Sequence, residues 1–65
     1  MYKLIYTSIE NQGSWVQDTD NDIRRLINVA NAEQHRYDSC HIEDSTGRAV
    51  WEPSLGMIDY EEKGD

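Results

Sequence analysis

Asp20-Asn21-Asp22-Ile23-Arg24-Arg25-Leu26-Ile27-Asn28-Val29-Ala30-Asn31-Ala32-Glu33-Gln34 is the stretch that decides the fold of this chain. Ile23, Leu26, Ile27 and Ala30 recur at i, i+3, i+4 and i+7, which places them on one stripe of a helix with polar residues on the other side. The spacing predicts a helix over 20–34. Thr19 with Asp22 three residues later fits a capping box in its aspartate form, and Asp18 is an alternative cap. Asp20 and Asp22 fall in the first turn and His35 and Arg36 near the other end, each where its charge favours the helix dipole.

Upstream of the helix, residues 2–9 are rich in aromatic and β-branched side chains and read as a strand. Glu10-Asn11-Gln12-Gly13 is a turn signal, and Ser14 to Gln17, carrying Trp15 and Val16, is either the returning strand or a loop whose Trp plugs the core. Downstream, residues 37–43 and 48–52 flank Asp44-Ser45-Thr46-Gly47 and read as a hairpin. Pairing Asp44 with Arg48 sets Ile42 opposite Val50, Cys40 opposite Glu52 and His41 opposite Trp51. The helix is then expected to cover the face of Cys40, Ile42 and Val50, leaving His41, Ala49 and Trp51 on the open side. Pro53 ends that strand. Residues 54–60, with Leu55, Met57 and Ile58, are expected to lie along the domain without assigned structure. The expected architecture is α+β, with one helix on a small, mainly antiparallel sheet of three or four strands in the order β(β)αββ. It occupies a single domain over 1–58, and an acidic mobile tail follows over 59–65.

A chain of 65 residues is near the size at which one core is barely sufficient. Leu, Ile and Val together number twelve, Phe is absent and the net charge is −7, which borders on the composition of disordered chains. Two Trp and four Tyr restore large buried area per residue. A core this thin gains stability from a partner or from self-association. Cys40 is the single cysteine, so neither an intramolecular disulfide nor a cysteine-based zinc site is open to the chain, and a reducing, cytoplasmic setting is expected. No apolar run has the length of a membrane span. Thirteen acidic residues against six basic ones argue against direct contact with a nucleic-acid backbone.

Asp18-Thr19-Asp20-Asn21-Asp22 begins like a calcium-binding EF-hand loop but departs where that loop is demanding. Ile23 replaces the glycine at the sixth position and Val29 the bidentate glutamate at the twelfth. Cys40 and His41 are adjacent on a strand, so they face opposite sides and cannot act as a nucleophile–base pair. With no nucleophile elbow, phosphate loop or metal-ligand spacing elsewhere, no enzyme, cofactor or metal is expected.

Two features point toward binding. Trp51 on the open sheet face, beside His41, has the character of an interface anchor. Carboxylates cluster at Asp18, Asp20 and Asp22, at Glu43, Asp44 and Glu52, and at Asp59, Glu61, Glu62 and Asp65. Such a surface suits a basic partner by steering its approach. The expected function is a non-enzymatic intracellular protein-binding module. Its sharpest form is an inhibitor that occupies a basic or nucleic-acid-binding surface of a larger, nucleic-acid-handling protein, as small acidic phage-type mimics do. The alternative is a small accessory subunit or homodimer whose open sheet face around Trp51 is a structural interface.

Overall fold

The computed structural model describes residues 1–10 and 13–58 and shows an α+β fold, one α-helix laid across a five-stranded antiparallel sheet. The strands are β1 (Tyr2–Ser8), β2 (Gly13–Asp20), β3 (Ser39–Glu43), β4 (Ala49–Glu52) and β5 (Gly56–Met57), and the helix α1 (Ile23–Ala32) lies between β2 and β3 in the chain. Across the sheet the order is β2-β1-β3-β4-β5, so β1 is flanked on both sides and the helix connection carries the chain over it. The expected segments 2–9 and 14–17 correspond to β1 and to a longer β2. The expected strand over 37–43 is shorter, because Gln34–Arg36 first makes a single 3-10 turn.

Three differences from the sequence reading have physical reasons. The helix begins at Ile23 rather than Asp20 because Asp18, Thr19 and Asp20 are taken by the sheet, pairing with Leu4, Lys3 and Tyr2. Its N-cap is Asp22, whose side chain accepts from the Arg24 N–H, so neither Thr19 nor Asp18 caps it. The far end stops at Ala32, where the Glu33 N–H reaches back to the Val29 and Ala30 carbonyls.

The second difference is the register of the β3–β4 hairpin. The turn closes as the sequence predicts. The Gly47 N–H donates to the Asp44 carbonyl, the Asp44 N–H donates to that of Arg48, and Gly47 sits at φ +90°, a conformation that only glycine adopts without strain. Glu43 then pairs with Ala49, but a bulge at Val50 sets Ile42 opposite Trp51. One extra residue reverses every side chain beyond it. Trp51 therefore lies on the helix-side face at 6% exposure and belongs to the core. Its expected place on the open face opposite His41 is corrected.

The third difference is the strand count, five rather than three or four. After Glu52 the chain reverses through Pro53 and Ser54, with the Leu55 N–H donating to the Glu52 carbonyl and Gly56 at φ +72°. β5 then pairs Met57 with Trp51, and the Ile58 N–H donates to the Val50 carbonyl. Residues 54–58 thus hold a short edge strand instead of an unassigned run.

Alternation along β1 sends Leu4, Tyr6 and Ser8 inward, where they are buried. Leu4 and Tyr6 join Leu26 and Ala30 of α1, Cys40 and Ile42 of β3, and Trp51 of β4 in one core. Ile23, Ile27 and Val29 pack at the margin of this core. Each large side chain buried here contributes roughly 1.5–3 kcal/mol of hydrophobic stabilisation. The polar tips of the core are paired. The Tyr6 hydroxyl donates to Glu33 Oε1 at 2.6 Å and the Tyr37 hydroxyl to the Ala30 carbonyl at 2.7 Å. Tyr6 stacks edge-on against Trp15 and tilted against Tyr37, with centroids 6.1 and 4.5 Å away. Trp15 is thus a residue of the returning strand, not of a loop, and its ring packs against the core.

Candidate functional site

The helix covers one face of the sheet, and the register composes the other. On β1 the outward residues are Lys3, Ile5 and Thr7, the odd positions between the buried Leu4, Tyr6 and Ser8. On β3 they are Ser39, His41 and Glu43, between and beside the buried Cys40 and Ile42. The pairing of β1 with β2 and β3 aligns these into three rows. Ser14, Thr7 and Ser39 form a row of hydroxyls, in which Thr7 Oγ1 and Ser14 Oγ are hydrogen bonded at 2.7 Å. Val16, Ile5 and His41 form the middle row, with Val16 51% exposed. Thr19, Lys3, Glu43 and Ala49 form the third, which carries one cation and one anion. His41 Nε2 lies 2.8 Å from Glu43 Oε2, so this pair links the second row to the third.

The candidate carboxylates are placed differently from one another. Asp18 and Asp20 point to the helix side of β2 and converge on Arg25. The Arg25 guanidinium bonds Asp18 Oδ2 at 2.9 Å and also pairs with Asp20. The Asp22 N–H donating to its side chain, then Arg25, hold the Asp20 carboxyl below its ordinary value. Arg25 in turn is shifted further toward its charged form by Asp20 and Asp18. Asp22 caps the helix and lies 3.4 Å from Arg24. Glu43 is bound to His41. The Asp44 carboxyl is held low chiefly by the Thr46 hydroxyl, 2.6 Å away, as it organises its turn. Glu52 lines a hollow of about 330 Å³ with Gln34, Tyr37, Cys40 and Pro53. Asp59, Glu61 and Glu62 lie outside the described residues.

The structure thus does not assemble the residues singled out from the sequence into one site. Trp51 is inside, His41 and Glu43 are together on the open face, and the Asp18–Asp20–Asp22 corner is on the other side of β2. What the sequence reading missed is the middle row itself. The signal was the alternation of Lys3, Ile5 and Thr7, which became a surface only once β3 was known to pair with β1.

Comparison with known protein families, curated proteins and solved structures yields no match to this chain. The chemistry must therefore be read from the residues. Cys40 is buried, and burial pushes its thiol above the usual range, away from the reactive thiolate. His41, the adjacent base, belongs to the opposite face and to Glu43. Among the described residues no group of three or more His, Cys, Asp or Glu side chains is placed to hold a metal ion. No helix among them is long and apolar enough to cross a membrane. The arrangement offers two distinct surfaces, an open sheet face whose three rows carry Lys3 and Glu43 beside His41, and the corner where Asp18 and Asp20 meet Arg25.

Proposed function

We propose that this chain is a non-enzymatic intracellular protein-binding module that docks by charge on a basic surface of a larger protein. Its sharpest form is an inhibitor standing in a nucleic-acid-binding groove. The observation that carries this reading is the excess of negative charge, −7 over the chain, combined with carboxylates fixed on regular elements. Asp18 and Asp20 are immobilised by strand pairing and by Arg25, and Asp22 by the helix it caps. Carboxylates held in place present oxygens at constant spacing, as a phosphate backbone does, and complementary charge steers encounter with a cationic groove. The buried position of Trp51 removes the aromatic anchor from this binding surface, so charge is left as the driving feature.

The test is capture of the partner from a lysate of the source cells, followed by affinity measurements with the purified partner across a salt series. Binding through charge weakens steeply as salt rises, because exposed ion pairs are screened. An affinity that stays constant up to about 1 M salt, where the screening length falls to about 3 Å, would exclude docking by charge.

A further inference from the structure

We propose that the open face of the sheet is the interface of a two-fold homodimer, with the Val16–Ile5–His41 row of one protomer lying over the same row of its partner. This surface is separate from the carboxylates assigned above to a basic partner, so the two proposals can fail independently.

Charge selects a second copy as the occupant. The chain carries −7, and two such chains repel at most orientations. The three rows of the open face are the exception. They hold Lys3 and Glu43, one charge of each sign, and the His41 imidazole paired with Glu43, among hydroxyls and apolar groups. A like-charged copy therefore meets least repulsion here, whereas a basic partner would gain more from the acidic surfaces. The row order also suits a two-fold axis. With the axis in the interface plane along the middle row, Val16, Ile5 and His41 each lie over their own copies. The row Thr19–Lys3–Glu43 of each protomer then lies over the hydroxyl row Ser14–Thr7–Ser39 of the other, so Lys3 and Glu43 meet hydrogen-bonding partners rather than their own copies. An axis along β1 would instead stack Lys3 on Lys3. Face-to-face sheets pack in this manner at about −30° between strand directions, and the dimer would add a second buried layer to a domain whose core holds seven apolar side chains among the described residues.

The experiment is sedimentation equilibrium on the full chain from roughly 10 μM to 1 mM, a range that covers weak to moderate dimers. The expected result is a concentration-dependent shift to the mass of a dimer. Val16→Glu should raise the dimer dissociation constant at least tenfold, since Val16 is exposed at the end of the middle row. Lys3→Glu should do the same by leaving each face with two carboxylates and no lysine. Lys3 is exposed, so this variant keeps the fold, as circular dichroism will show, and it decides the matter if Val16→Glu unfolds. A monomer at every concentration overturns the proposal. So does a dimer that a folded Lys3→Glu variant leaves unchanged, because its interface then lies elsewhere, for instance along the β2 edge.

Discussion

Tyr6 shows how one side chain can tie several elements together. Its ring is buried between Trp15 of β2 and Tyr37 beyond the helix, and its hydroxyl reaches Glu33 just past the helix end. Burial foremost, then the Glu33 carboxylate, pushes the Tyr6 hydroxyl well above its ordinary value, so it remains a donor at every physiological pH. Glu33 responds in the opposite sense, held below its ordinary value first by the Tyr6 hydroxyl and further by Arg36. Tyr6→Phe keeps the packing and removes that donor. It should cost about 1 kcal/mol in urea unfolding, the usual net worth of a hydrogen bond, since Glu33 retains some solvent and Arg36. A pH dependence follows with a definite sign. Glu33, Asp20 and Asp44 all have lowered folded values, so the unfolded chain takes up their protons first as pH falls. Their contribution is complete above the ordinary carboxylate range and is lost as pH drops through the folded values. Melting temperature should therefore decline from about pH 5 to about pH 3, and Glu33→Gln should make that decline shallower. Melts followed by circular dichroism across this range check both statements, and an unchanged slope in Glu33→Gln would exclude Glu33 from the effect.

At the scale of elements, the single extra residue at Val50 has the largest consequence, because it moves Trp51 from surface to core. Trp51→Ala should consequently act on folding, at about 3–5 kcal/mol, as large aromatic truncations in cores do. Leu26→Ala on the helix stripe should cost about 2–5 kcal/mol. Chemical denaturation of the two variants compares them directly. A folded Trp51→Ala protein with parental stability would mean that the indole is not held in the core. The helix stripe was legible because its period of 3.6 survives any tertiary arrangement, and Leu26 and Ala30 are indeed its buried members. The Asp44–Gly47 turn was legible because glycine at its fourth position meets a local backbone need. The bulge was not, since Ala49-Val50-Trp51 reads equally well in either register and the choice belongs to the packing of Trp51 against Ile42. The extent of β2 was equally hidden. Asp18, Thr19 and Asp20 suit a helix start by propensity, and only the length of β1 opposite them draws them into the sheet. The same gap concealed the open-face rows, which depend on β3 pairing with β1 across the helix connection rather than on any local pattern.

On the scale of the whole molecule, charge and fold are coupled through Arg25. This residue stands on the exposed side of the helix start and holds Asp18 and Asp20 together, so that corner carries one net negative charge where it would otherwise carry two. Exposed ion pairs of this kind contribute little to stability, and Asp20 keeps its bond from the Asp22 N–H without the arginine. Arg25→Gln should therefore leave the fold intact while raising the net charge from −7 to −8 and freeing two adjacent carboxylates. If the acidic surface meets a basic partner, this variant should associate faster than the parent at low salt, and the advantage should vanish as salt screens it. Replacing Asp18 and Asp20 with Asn in the parent should do the reverse, slowing association and flattening its salt dependence. Stopped-flow or surface-based kinetics with the captured partner measure both variants under identical conditions. Slower association of a folded Arg25→Gln variant would mean that the arginine itself touches the partner, and that the corner binds as a patterned ion pair rather than as a patch of negative charge.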